Sequence, residues 1–189
     1  MQEELRRDLI ETVRQWEVSD PEDRFTRASW EALAADSRSL TRFGDPAHFT
    51  GSALPLSTDG SAVCLVLHRR IGLWVQPGGH LEPGDHSLTA AALREMTEET
   101  GLDGVLDDAP LLLSRHPAPC REGAWHLDIQ MLAVSPPMSP RASDETLGAA
   151  WFQVDDLPGA MAPGVERLVA AARERFIRIG SPVPPKPAG

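Results

Sequence analysis

Cysteine is scarce in this chain: two in 189 residues, with no CxxC pair. A disulfide-stapled secreted scaffold needs more, and cysteine-based zinc sites usually announce themselves by paired spacing. Cys64, in an apolar run, and Cys120, in a proline-flanked loop, are therefore expected to be reduced thiols, with no zinc site. There is no run of 18 apolar residues, so no membrane-spanning helix is expected. The amino end, Met1-Gln2-Glu3-Glu4, lacks the basic start and apolar middle of a secretion signal, which makes a cytoplasmic location the expectation. Basic residues are also few, 18 against 28 acids, for a formal charge of -10. That balance argues against nucleic acid or an anionic membrane as partner. It leaves room for a phosphorylated small molecule held by a metal and a few local cations, and His68, Arg69 and Arg70 lie in position to serve, with Arg70 the candidate substrate contact.

What is present suffices for a core: 41% hydrophobic residues, including five tryptophans. The length predicts one domain with a modest accessory segment. Leu5, Leu9, Val13 and Trp16 form one stripe of an amphipathic helix over residues 3–16. Asp20 and Pro21 break it, and a weaker helix follows over 26–35 with Trp30 and Leu33 directed inward. Residues 1–48 are thus expected to be a helical accessory segment ending in a loop at 44–46. From residue 49 the character turns to β, with strands expected over 50–56, 62–67, 71–75, 110–115, 124–134 and 149–154. A late helix is expected over 163–177, and the proline-rich tail 179–189 is expected to be disordered. Strands divided by one early helix and closed by one late helix predict an α/β architecture, a mixed β-sheet sandwiched between helices, over residues 49–178. No internal repeat is visible.

The segment with the most chemistry is a glycine-rich turn, Gly78-Gly79, feeding an alanine-rich helix over 87–100 that Gly101 stops. Glu95, Glu98 and Glu99 stand on that helix at i, i+3 and i+4, neighbouring positions on its surface. Three crowded carboxylates repel one another unless a cation intervenes, and hard divalent cations take oxygen ligands of this kind. The alternative for such a trio is a solvated acidic face balanced by Arg94.

Gly79, Arg94, Glu95, Met96, Glu98, Glu99, Gly101 and Leu102 match the Nudix box, G-x5-E-x7-R-E-U-x-E-E-x-G-U, where U is bulky and aliphatic. The chain resembles the Nudix hydrolase family on this segment, with two departures. Asp85 replaces the first glutamate, and eight residues, 86–93, separate it from Arg94 where the pattern has seven. An extra residue inside the helix would rotate everything upstream by about 100°, so it is expected in the loop around His86. Asp85 and Ser87 are rival N-caps. The resemblance implies the Nudix fold and a metal-dependent hydrolase that cleaves the pyrophosphate bond of a nucleoside diphosphate linked to another moiety. It further implies that Glu95, Glu98 and Glu99 hold Mg²⁺ or Mn²⁺, that Arg94 orients a box carboxylate, and that a homodimer is compatible with the fold.

Glu98 within the box, or Asp144 or Glu145 on a distant loop, is the candidate general base, which must reach the attacking water. Gly78 and Gly79 permit close backbone approach to a ligand; an ordinary tight turn is the other reading. His126 and Asp128, two apart on a strand and so on one face, are candidates to line the substrate cleft or add a metal ligand. His80 and His86 read as polar loop residues, and Trp74 or Trp125 is a candidate to stack a base. Two other functions compete with hydrolysis: a catalytically weak nucleotide-binding or regulatory module, and an isomerase of the isopentenyl diphosphate type, which needs a reactive thiol that Cys64, in an apolar strand without polar neighbours, does not offer.

Overall fold

Three strands set the centre of the fold. They are β1 (Ala47–Ser57), β2 (Ala62–His68) and β7 (Trp125–Ser135), buried along most of their length. The structure, a computed structural model, describes residues 2–18, 21–42 and 47–179. The expected loop at 44–46 and the expected proline-rich tail beyond residue 179 lie outside the described residues.

Among the described residues, eight strands form one mixed sheet with the path β3-β2-β1-β7-β5, where β3 is Trp74–Val75 and β5 is Val105–Leu106. Off that path, β4 (Gly78–His80) pairs with β1, β6 (Leu112–Pro117) with β7, and β8 (Thr146–Gln153) with β2. β1 and β7 run parallel over eleven register pairs from Ala47↔Trp125 to Ser57↔Ser135; the other pairings are antiparallel. A parallel pair of this kind is buried on both faces.

Side chains alternate along these strands, so the sheet has two different faces. On one, Phe49, Ala53, Leu127, Ile129 and Met131 pack with Leu5, Leu9 and Val13 of α1 (Gln2–Gln15), Trp30 of α2 (Pro21–Ala34), and Leu88, Ala92 and Met96 of α3 (Leu88–Thr100). On the other, Leu54, Leu56, Leu132 and Val134 meet Val165, Leu168, Val169 and Ala172 of α4 (Val165–Ile179). That second face carries a polar row ahead of the leucines: His48, Thr50 and Ser52 on β1 beside His126, Asp128 and Gln130 on β7.

The amino-terminal helices share the core of α3 rather than resting on its outside. The Leu88 N–H donates to the Asp8 carboxylate at 2.7 Å, so α1 also caps the start of α3. Trp16 donates its indole N–H to the Leu111 carbonyl at 3.1 Å. Leu33, expected inward, is 42% exposed: its stripe neighbour Trp30 takes the core position by packing edge-on against Phe49. Residues 71–75 form only the two-residue β3, and β4 and β5 were not anticipated, because strands of two or three residues leave no periodicity to read. No helix among the described residues is long and apolar enough to cross a membrane.

Candidate metal and catalytic site

The local sequence builds α3 from both ends. Ser87 is its N-cap, in extended conformation, and accepts the Ala90 N–H at 3.0 Å. Gly101 ends it with φ 67°, the left-handed conformation glycine adopts without steric cost. The helix is unbroken from Leu88 to Thr100 and carries all three glutamates at their helical spacing.

Asp85 is not a cap. It is buried, 6% exposed, and it holds Arg94: Nε donates to Oδ1 at 3.2 Å and an NH2 nitrogen to Oδ2 at 3.0 Å. The Glu82 N–H also donates to it, at 2.7 Å, closing the loop. The same guanidinium donates to Glu95 at 2.9 Å, to Glu98 at 3.1 Å and to the His80 carbonyl at 3.0 Å. Arg94 therefore ties loop, helix and β4 together. Burial works against its charge, but Asp85 and Glu95 outweigh that and hold the guanidinium above its usual range.

The three glutamates differ. Glu99 is buried and accepts the Gly78 N–H at 2.9 Å. Glu95 is nearly buried and lies over Gly79, where an added Cβ would meet its carboxylate oxygens at 2.5 and 2.6 Å. Glu98 is open, with 58% of its side chain exposed. Burial pushes both Glu95 and Glu99 up to about 7, Arg94 partly offsetting this in Glu95 and the Gly78 N–H in Glu99. One guanidinium is thus shared by Asp85, Glu95 and Glu98, while Glu99 has a backbone amide for company. A cluster so short of positive charge, with two desolvated carboxylates against a glycine backbone, fits a divalent cation with oxygen ligands.

Of the distant acids, Glu145 adds its negative field at both Glu95 and Glu99. Asp144 is exposed and is engaged through its backbone carbonyl, which accepts the Arg69 Nε at 3.0 Å. Gly78 and Gly79 are strand residues of β4, not a free turn, and the Gly78 amide is taken by Glu99. Arg70 is exposed and donates to the Pro119 carbonyl at 3.2 Å, and its charge is felt at His80. Trp74 packs edge-on against Phe152 in the core, and Trp125, 37% exposed, lies under the Arg115 guanidinium.

Asp128 is buried and saturated by neutral donors: Thr50 at 3.0 Å on Oδ1, and Ser52 at 2.8 Å with Gln76 and Gln130 both at 3.2 Å on Oδ2. It locks β1, β7 and the segment before β4 together. His126, one step along the same row, faces His48, His80 and Cys120, a grouping that sequence spacing did not reveal. Burial, with neighbouring imidazoles adding to it, pushes His126 down to about 3 and His80 down to about 4, so both rings are neutral near pH 7.

A 740 Å³ cavity lined by Trp16, Phe25, Trp30, Leu113 and Arg115 lies between α2 and β6. None of the box glutamates borders it, so the catalytic assignment rests on the carboxylates and not on cavity size.

These features define a class: a mixed sheet carrying a glutamate helix behind a glycine strand. The NUDIX domain model matches residues 48–172, and the chain belongs to the Nudix family. A putative 8-oxo-dGTP diphosphatase of Bacillus subtilis (strain 168) is 29% identical over 119 residues, 63% of this chain and 76% of that protein. Among solved structures, a Caenorhabditis elegans Ap4A hydrolase binary complex aligns with TM-score 0.58 at 18% identity, covering 69% of this chain and 97% of that one. The NUDIX domain of Shewanella oneidensis NrtR complexed with ADP ribose aligns with TM-score 0.56 at 22% identity, covering 68% and 87%. At such identities the structures establish the fold.

Proposed function

We propose that this Nudix pyrophosphohydrolase cleaves the pyrophosphate bond of a nucleoside diphosphate linked to another moiety, using Mg²⁺ or Mn²⁺ held by Glu95, Glu98 and Glu99. The observation that carries the reading is the pair of buried carboxylates, Glu95 and Glu99, packed on Gly79 and Gly78 with one shared arginine for balance. Bound divalent metal supplies neutralisation of the diphosphate and activation of water. The protein's part is to hold and aim. Arg94 fixes the Glu95 and Glu98 carboxylates from one guanidinium, itself anchored by Asp85. The Gly78 N–H fixes Glu99. Glu98, open to solvent on the same helix face, would take the proton of the attacking water; Glu145 is the alternative, supported by the action of its charge on both buried carboxylates.

The curated relative is named as a putative 8-oxo-dGTP diphosphatase, which supports a phosphorylated nucleoside derivative as the substrate class to test first. A soluble small molecule and a net charge of -10 are consistent with action in the cytoplasm on a free nucleotide. The test is a panel of such derivatives incubated with purified protein, with Mg²⁺, with Mn²⁺ and with chelator. Metal-dependent release of a nucleoside phosphate is expected. Tight nucleotide binding without turnover across the panel would instead make the chain a binding module.

A further inference from the structure

The geometry points to a second metal centre, separate from the glutamates and of opposite character: a Zn²⁺ site formed by His48, His80, Cys120 and His126. The four residues each offer one ligand atom, and those atoms all lie within 4.8 Å of one another. They come from four separate places: His48 on β1, His126 opposite it on β7, His80 at the end of β4, and Cys120 on the loop between β6 and β7. Four unrelated segments converging their only soft and borderline donors on one point is not what a polar surface does.

The distances suit the ion. With Zn–N near 2.0–2.1 Å and Zn–S near 2.3 Å in a tetrahedron, a nitrogen-to-sulfur edge is about 3.6 Å. Cys120 Sγ stands 3.7 Å from His48 Nε2 and 3.5 Å from His126 Nε2. The three imidazoles pack around a common centre, with centroids 4.9 to 5.2 Å apart. His80 Nε2 is buried without a hydrogen-bond partner, an arrangement that costs stability unless something binds there. Imidazole and thiolate together select zinc or a similar borderline metal over Mg²⁺ or Mn²⁺.

The site's place in the fold gives it a task. His80 follows Gly79 directly, and the two lie on opposite faces of β4: Gly79 supports Glu95 while His80 joins the His–Cys group. The His80 carbonyl also accepts from Arg94. Zinc there ties the start of the box loop to the parallel pair β1 and β7, and so steadies the strand on which the catalytic carboxylates rest. Binding releases the Cys120 thiol proton to solvent and leaves the imidazoles neutral.

The test uses the full chain without a polyhistidine tag. Elemental analysis after dialysis is expected to find about one zinc per chain, and Co²⁺ substitution is expected to give the intense near-ultraviolet band of a thiolate bonded to cobalt. Cys120→Ser removes that band; Glu99→Gln keeps it, which separates this site from the carboxylates. Stripping the zinc lowers the melting temperature by about 5–10 °C, and Zn²⁺ alone restores it. Wild-type protein that holds no stoichiometric zinc and shows no thiolate band with Co²⁺ overturns the proposal, as does a band that survives Cys120→Ser.

Discussion

Two clusters of side chains that could ligate a metal lie either side of β4, and they are built in different ways. The carboxylate cluster comes almost whole from one helix, with Asp85 and two glycines from the adjoining loop and strand. The His–Cys cluster draws one residue from each of four distant segments. The first is hard, anionic and short of positive charge; the second is soft, neutral and short of a hydrogen-bond partner at His80 Nε2. A helix spaces its ligands by its own period, so such a site is written in the sequence. A site assembled across a sheet exists only once the register is set.

The largest expected effect separates the clusters by chemistry. Glu99→Gln keeps an acceptor for the Gly78 N–H but removes the charge proposed to bind metal, and should lower kcat/KM by about 100-fold or more while leaving the melting temperature near wild type. Glu98→Gln should lose about 10²–10⁴-fold if Glu98 takes the proton from water. Undiminished turnover in both variants would mean that the helix face is a solvated acidic surface after all.

Next come the two glycines, neighbours with different duties. Gly79→Ala pushes its Cβ into the Glu95 carboxylate, a movable group, and is expected to cost about 10–100-fold in activity with little loss of stability. Gly78→Ala places its Cβ 2.6 Å from the Ser52 Cα, which cannot yield, so it should destabilise the sheet itself. Thermal melts beside activity assays check both, and the reverse pattern would refute the assignment of roles. Asp85→Ala leaves Arg94 without its main anchor and should cost about 1–3 kcal/mol in unfolding free energy, read by denaturant titration; an unchanged midpoint would reduce Asp85 to a loop residue.

A smaller effect concerns pH. Glu95 and Glu99 rise to about 7 in the folded, metal-free protein from the ordinary 4.5, through burial. The folded state therefore binds more protons than the unfolded one between those values. Their contribution to stability is complete below about pH 4.5 and is lost as pH rises through about 7. Chelated protein should melt at progressively lower temperature across that window, and Mg²⁺ should flatten the decline by taking the protons' place. Calorimetry in two buffers of different ionisation heat should detect proton release on Mg²⁺ binding at pH 6, fading by pH 8.

Much of this is legible in the sequence. The stripe Leu5, Leu9, Val13 and Trp16, the apolar run of β2, the alternation of β7, and the bounds of α3 follow from periodicity and capping, and all are placed close to where the pattern implies. Glu95, Glu98 and Glu99 were legible because i, i+3 and i+4 on a helix admits one geometry. Asp85 is harder to read: it stands one residue off the pattern, and its pairing with Arg94 is made by a loop whose path has no periodicity. His48 and Cys120 were not legible at all. His48 and His126 are close only because β1 and β7 pair in parallel in that register, a tertiary fact with no local signature. Leu33 misled for the complementary reason, since a position on an apolar stripe does not say where the stripe's edge meets solvent.

The most direct measurement is anomalous scattering from one crystal grown with Mn²⁺, recorded at the manganese and zinc absorption edges. Manganese peaks among the carboxylates of Glu95, Glu98 and Glu99 are expected, with zinc confined to the His–Cys group. Carboxylates facing bulk solvent with no manganese between them would contradict the central claim that this helix gathers the cations for pyrophosphate cleavage.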